Sequence, residues 1–286
     1  MKILLQVPAG LKTKALEIAS QLERDGHQVF ISGENVYGAC DLREDDAQKL
    51  GIDKIINYGH TQFMESNIPV EYKEIRENID ILPILEKHWQ TLQEEKICLL
   101  ASLQFIDNVS QAKSFLEEHG KLIIIPPEQQ GSQKLYPGQV LGCACSLPEA
   151  DAYLYIGSGN FHATSPSLIG KAVYSLDVEH SEIRKVDSSL LEKQKYAAIA
   201  LAKHAKTFGI LVSTRRGQFN LPLAEKTRDS LKAKGKHAFI IVMDEFTPDK
   251  LVGIKCDCWV NTACPRIAID NRTSFGQPIV NANELS

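Results

Sequence analysis

The sequence predicts an α/β protein made of three similar small domains, each a parallel sheet flanked by helices. Three observations carry this expectation. Short β-branched runs alternate with amphipathic helical stretches. The cadence recurs three times at intervals of roughly a hundred residues. Each copy is then followed by a further strand that opens with aspartate.

Taken in chain order, residues 2–7 read as a strand, 11–25 as a helix and 27–31 as a second strand, with an Asp-led strand over 53–57. The second copy has strands over 97–100 and 121–125 around a helix over 110–119, and its Asp-led strand covers 151–155. In the third, strands over 210–213 and 237–242 flank a helix over 221–234, and the Asp-led strand covers 257–261. Charged stretches over 72–93 and 181–195 read as helical connectors. They place the domains at 1–88, 89–190 and 191–286.

The 286 residues, 43% hydrophobic and 24% charged, are those of an ordinary globular chain with enough apolar material for several cores. The first residues include neither a small-residue cleavage site nor an apolar run long enough to cross a bilayer, so a cytoplasmic location with no membrane partner is expected. A net charge of -4 gives no basic field to attract nucleic acid. Seven cysteines in an intracellular chain point to thiols, metal ligands or nucleophiles rather than disulfides.

Cys40, Cys143 and Cys264 fall one per copy, each in a loop beside the Asp-led strand. Loops beyond the carboxyl ends of parallel strands gather where ligands bind, so three such loops suit a shared site. Three thiolates would leave one iron of a 4Fe-4S cluster open to a substrate. Gly38, Gly142 and Pro265 flank them as close-approach or rigid-turn residues. Burial of these cysteines as small hydrophobes is the bland alternative. Cys98 lies in an apolar strand and reads as packing. Side chains two apart point the same way in an extended segment, so Cys145 is an alternative ligand to Cys143. Cys143, Cys145, Cys256 and Cys258 together could also form a structural zinc site, though their pairs are spaced more tightly than such sites usually are.

Two further segments are candidates for holding a cofactor. Gly157, Gly159 and His162 lie in a Gly-Ser-Gly-Asn-Phe-His turn after a strand. The third glycine of a dinucleotide fingerprint is replaced by His162 and no clear helix is expected after it, which argues against a conventional Rossmann cofactor. Thr214, Arg216, Gly217 and Gln218, in Thr-Arg-Arg-Gly-Gln, offer carboxylate or phosphate recognition, or else a solvated loop. His60 takes the corresponding place after a strand of the first copy. No Walker loop, H-E-x-x-H or G-x-S-x-G element is present.

Across these segments, together with Tyr-Gly-Ala-Cys-Asp at 37–41, Gly-Gln-Val-Leu-Gly-Cys at 138–143 and Thr-Ala-Cys-Pro-Arg-Ile-Ala-Ile-Asp at 262–270, the sequence resembles the archaeal diphthamide synthase family. The resemblance runs in order over nearly the whole chain. It implies a pseudo-threefold arrangement of related α/β domains around a central 4Fe-4S cluster held by Cys40, Cys143 and Cys264, in a homodimer. It implies an enzyme that cleaves S-adenosylmethionine and transfers its 3-amino-3-carboxypropyl group to a histidine of translation elongation factor 2, with an electron donor as a further partner. The Cys-x-x-x-Cys-x-x-Cys motif of radical S-adenosylmethionine enzymes is absent, as in that family. A zinc- or thiol-dependent enzyme, or a non-catalytic binding protein for a nucleotide or translation factor, are the competing classes.

Overall fold

The structure is a computed structural model, and it describes every residue except 35, 132, 143–146, 160, 168, 169 and 286, and the side chains of 165–167. Its strands form three sheets. The first contains β1 (Lys2–Gln6), β2 (Gln28–Ile31), β3 (Lys54–Tyr58) and β4 (Val70–Lys73), in the order β2-β1-β3-β4 with every pairing parallel. The second, β6-β5-β7-β8-β9, contains β5 (Lys96–Ala101), β6 (Leu122–Ile124), β7 (Ala152–Gly157), β8 (Ala172–Asp177) and β9 (Glu182–Lys185). Only β9 pairs antiparallel. β10 (Thr207–Ser213), β11 (His237–Met243), β12 (Cys258–Asn261) and β13 (Ile279–Asn281) make the third, parallel and ordered β11-β10-β12-β13.

The common order has one physical origin. A first strand, a crossover helix and an edge strand turn the chain one way, and the next crossover places the Asp-led strand on the other side of the first. The crossover helices in the first legs are α1 (Ala15–Arg24), α4 (Asn108–Glu118) and α7 (Leu221–Ala233). Central strands such as Ile97-Cys-Leu-Leu-Ala101 are buried along their length, as parallel strands covered on both faces must be.

The aspartate that opens each of these strands fixes its register. The backbone N–H of Asp53, Asp151 and Asp257 donates to the carbonyl of Lys2, Lys96 and Thr207, each the first residue of its partner strand, at 2.9 Å. The carboxylates of Asp53 and Asp257 also accept from backbone N–H groups at those strand starts: Lys2 at 2.7 Å, and Lys206 and Thr207 at 2.9 and 2.8 Å. An aspartate is the residue that can terminate two strand beginnings at once.

The chain separates into two compact units, one of Met1–Leu141 with the later residues up to Val186, the other of Asp187–Ser286 with Gly142. The first unit holds the first two sheets and the second unit the third. Within the first unit, α3 (Leu82–His88) packs its buried Ile84 and Leu85 into the core of the second sheet, with Leu99, Val109 and Leu116.

Three expectations need correction. The charged stretch over 72–93 is not continuous helix, because Tyr72 and Lys73 complete β4, where Lys54, Glu71 and Lys73 pair on one surface. Likewise 181–195 begins with β9, a hairpin return, before α6 (Ser189–His204). A helix also follows the glycine turn: α5 (Phe161–Ser167), whose seven residues are too few to show a 3.6-residue apolar period.

Candidate functional site

Parallel sheets with this strand order have a topological switch point between the first strand and the Asp-led strand, and ligands bind beyond the carboxyl ends there. Most of the residues singled out in the sequence lie beside these ends. His60 follows β3, Gly157 to His162 end and follow β7, Thr214 to Gln218 follow β10, and Cys264 follows β12. Cys40 lies in the loop that leaves β2 and leads to α2 (Glu44–Leu50).

The Cys40 loop is fastened by polar groups that the apolar pattern does not explain. Gln6, fully buried at the end of β1, donates from Nε2 to the carbonyl of Asp41 at 3.2 Å and accepts at Oε1 from the N–H of Arg43 at 3.2 Å. Asp41 is itself buried, and its carboxylate faces Arg43 Nε at 3.6 Å. The Glu44 carboxylate then accepts from Ser66 Oγ at 2.9 Å and Asn67 Nδ2 at 2.7 Å, tying the start of α2 to the loop after β3. Cys40 is left partly exposed, with the Cβ position of Gly38 4.0 Å from its Sγ.

Cys264 is held in a parallel way within the second unit. Asn261, the last residue of β12 and 2% exposed, accepts at Oδ1 from the N–H of Ala263 at 3.1 Å. Its Nδ2 donates to the Cys264 carbonyl at 2.9 Å and to Asn281 Oδ1 at 2.7 Å. Thr262 Oγ1 donates to the Leu211 carbonyl at 2.7 Å, and Arg266 is locked to Asp270 four residues on. Cys264 is partly exposed.

Cys143 and its alternative Cys145 lie outside the described residues. The segment leading to them is well defined. Gly138 has φ +80°, and a Cβ there would press on the Leu99 carbonyl at 3.3 Å and on Ile125 and Val109 at 3.4 Å, so only glycine fits without adjustment. Gln139 accepts from the N–H of Tyr136 at 3.0 Å and donates to Thr61 Oγ1, beyond β3, at 3.2 Å. The loop between β3 and β4 and the segment that leads toward Cys143 are therefore in contact.

The cofactor candidates divide. Gly157 serves packing: a Cβ there would run into the hydroxyl and ring of fully buried Tyr155, two residues earlier on the same face of β7. Gly157→Ala should lower stability by about 1–3 kcal/mol, measured by urea unfolding. An unchanged midpoint would show that Tyr155 repacks freely. Gly159 has φ +63° and is exposed, a left-handed turn residue ahead of α5. His162 stacks obliquely on Tyr155, ring centroids 5.9 Å apart. Thr214 and Arg216 are exposed, and Arg216, Gly217 and Gln218 form one 3-10 turn. The buried guanidinium is that of Arg215, 3.5 Å from the Asp244 carboxylate and 3.6 Å from that of Glu245.

Cys98 is buried in β5, as a packing residue would be. Burial pushes the Cys258 thiol up to about 12 and the Cys256 thiol up to about 11. Asp177, Glu179 and His180 are the one group of carboxylates and imidazole within metal-binding reach among the described residues. Asp177 accepts from the N–H groups of Glu179 and His180 at 3.1 and 3.3 Å, the pattern of a turn cap between β8 and β9.

The residues that sequence reading missed are Gln6, Asn261 and Gln139. Their signal is a carboxamide closing or flanking an otherwise apolar strand, as in Lys-Ile-Leu-Leu-Gln and Cys-Trp-Val-Asn.

The comparisons agree with this architecture. The family model described as "Putative diphthamide synthesis protein" matches residues 7–286. The 2-(3-amino-3-carboxypropyl)histidine synthase of Pyrococcus horikoshii is 31% identical over 99% of this chain and 84% of its own length. Subunit 1 of the enzyme of that name from Caenorhabditis elegans is 29% identical over 99% of this chain and 74% of its own. Crystal structures of Dph2 from Pyrococcus horikoshii, one of them with a 4Fe-4S cluster, superpose with a TM-score of 0.91 at 31% identity, covering 99% of this chain and 84% of theirs. The chain thus belongs to the diphthamide synthesis family.

Proposed function

We propose that this chain is a 2-(3-amino-3-carboxypropyl)histidine synthase that moves the 3-amino-3-carboxypropyl group of S-adenosylmethionine onto a histidine imidazole of translation elongation factor 2. Cys40, Cys143 and Cys264 are its cluster ligands, and it works as a cytoplasmic homodimer fed by an electron donor. The observation that carries the reading is the pair of partly exposed thiols on amide-fastened loops at carboxyl sheet ends, in a chain that matches relatives of that name throughout its length.

The donor set fits a 4Fe-4S cluster: Cys40 and Cys264 are soft ligands held on ordered backbone, and neither is consumed in a core as Cys98 and Cys258 are. When bound, such a group supplies one electron and an iron position open to the amino and carboxylate groups of S-adenosylmethionine. The chain's own part is to orient and to shield. Arg216 and Gln218 present donors for a carboxylate or a ribose at the end of β10. Gly159, an exposed glycine in the left-handed region, lies just beyond the end of β7. With one electron supplied by the donor, breaking the bond between sulfur and the aminocarboxypropyl chain leaves methylthioadenosine and a carbon radical, which joins an imidazole carbon as that carbon gives up its hydrogen as one proton and one electron.

Protein purified without oxygen should contain about four iron and four sulfide per chain. With reductant, S-adenosylmethionine and elongation factor 2 it should yield methylthioadenosine and an aminocarboxypropyl mass gain on the factor. A fully loaded protein that gives neither product would sink the proposal.

A further inference from the structure

We infer that Gln6 and Asn261 are positioning residues for the cluster, each setting the backbone that carries one cysteine ligand. The inference rests on the function proposed above and extends it to residues that carry no ligand atom.

Both are carboxamides at the last position of a central strand, and both are almost wholly excluded from solvent. Both act as a substitute peptide group. Gln6 donates to the carbonyl of Asp41 and accepts from the N–H of Arg43, so it grips the residues directly after Cys40 at two points. Asn261 accepts from the N–H of Ala263 and donates to the carbonyl of Cys264 itself. The pairing of β1 with β3 ends at Gln6 and that of β12 with its two neighbours ends at Asn261, and each side chain takes over where its own strand's ladder stops.

Side-chain length follows topology. The Cys40 loop leaves the neighbouring edge strand, and the longer glutamine reaches across to it. The Cys264 loop leaves the same strand as Asn261, where the shorter asparagine suffices. Chemistry selects a carboxamide in both places. The carboxamides of asparagine and glutamine present a peptide-like carbonyl acceptor and an N–H donor on separate atoms without charge. A carboxylate would lose the donated bond, cost free energy to bury, and set negative charge beside thiolates.

The test uses full-length protein loaded without oxygen: wild type, Gln6→Met, Gln6→Glu, Asn261→Leu and Asn261→Asp. The readouts are the rate of iron release to a chelator, the electron paramagnetic resonance spectrum of the reduced protein, and the melting temperature. Outer-shell partners of metal ligands typically change affinity about 10–100-fold, and a similar acceleration of iron release is expected with an altered spectrum. Asn261→Asp, which keeps the bond to Ala263, should fall between wild type and Asn261→Leu. If the apolar variants do not fold, the isosteric Gln6→Glu and Asn261→Asp decide the matter.

Release rates within about twofold of wild type with an unchanged spectrum, whatever happens to melting, would overturn the inference and reduce both residues to loop stabilisers. Wild-type protein that binds no cluster would remove the parent reading and this one with it. A loaded wild type with indifferent variants removes only the positioning role.

Discussion

Alanine at Cys40, Cys143 or Cys264, one at a time, is expected to strip or labilise the cluster and to bring methylthioadenosine formation down to background, whereas Cys98→Ala should keep its iron. The asymmetry follows from where the thiols lie. Cys40 and Cys264 sit partly exposed on loops gripped by Gln6 and Asn261, so truncation removes a donor from an otherwise ordered site. Cys98 is fully enclosed in β5 in a cluster with Leu100, Tyr153 and Tyr155, so its truncation leaves a small cavity and removes no proposed ligand. The measurement is iron and sulfide per chain after anaerobic gel filtration, with circular dichroism to show that each variant folds. Full iron in Cys40→Ala or Cys264→Ala would remove that residue from the ligand set. Iron kept in Cys143→Ala but lost in Cys145→Ala would move the second ligand by two positions.

How much of this was legible in the sequence depends on the range of the interactions involved. The first, edge and Asp-led strands of each copy and the crossover helices α1, α4 and α7 could be placed because their apolar patterns are local, whereas β8 and β13 were not read at all. β4 and β9 were hidden, since edge strands bearing lysine and glutamate look like solvated helix when composition is the only guide. α5 is too short to show a period. The division of labour in Thr-Arg-Arg-Gly-Gln was also hidden: Arg215, buried against Asp244 and Glu245, differs from exposed Arg216 only by partners about thirty residues away in sequence. The same holds for Gln6, whose partners at 41 and 43 lie in another loop. A polar residue at a strand end looks like the end of a strand until its long-range partners are known.

His60 should make the protein lose stability on mild acidification. Its Nδ1 contacts Asn57 Oδ1 at 2.8 Å, and Asn57 is fully buried on β3. Burial lowers the imidazole from 6.5 to about 4, partly offset by a hydrogen bond to the Tyr58 backbone. The folded state therefore holds a neutral ring across a range in which the unfolded chain already takes up a proton. Between about pH 6.5 and pH 4 the unfolded state binds more protons, so unfolding free energy falls as pH falls through that window. Above the window the stabilisation is fully present, and below it the slope vanishes because both states are protonated. The span corresponds to ~3 kcal/mol at 1.36 kcal/mol per unit. His60→Gln keeps a donor for Asn57 and removes the titration, so the comparison with wild type cancels the many carboxylates that titrate in both proteins. Urea midpoints of the two proteins should diverge steadily between about pH 7 and pH 4.5, with wild type losing more. Parallel profiles over that range would mean that His60 takes up its proton in the native state at the same pH as in the unfolded chain. A divergence confined to pH values below the window would place the responsible group among the carboxylates instead.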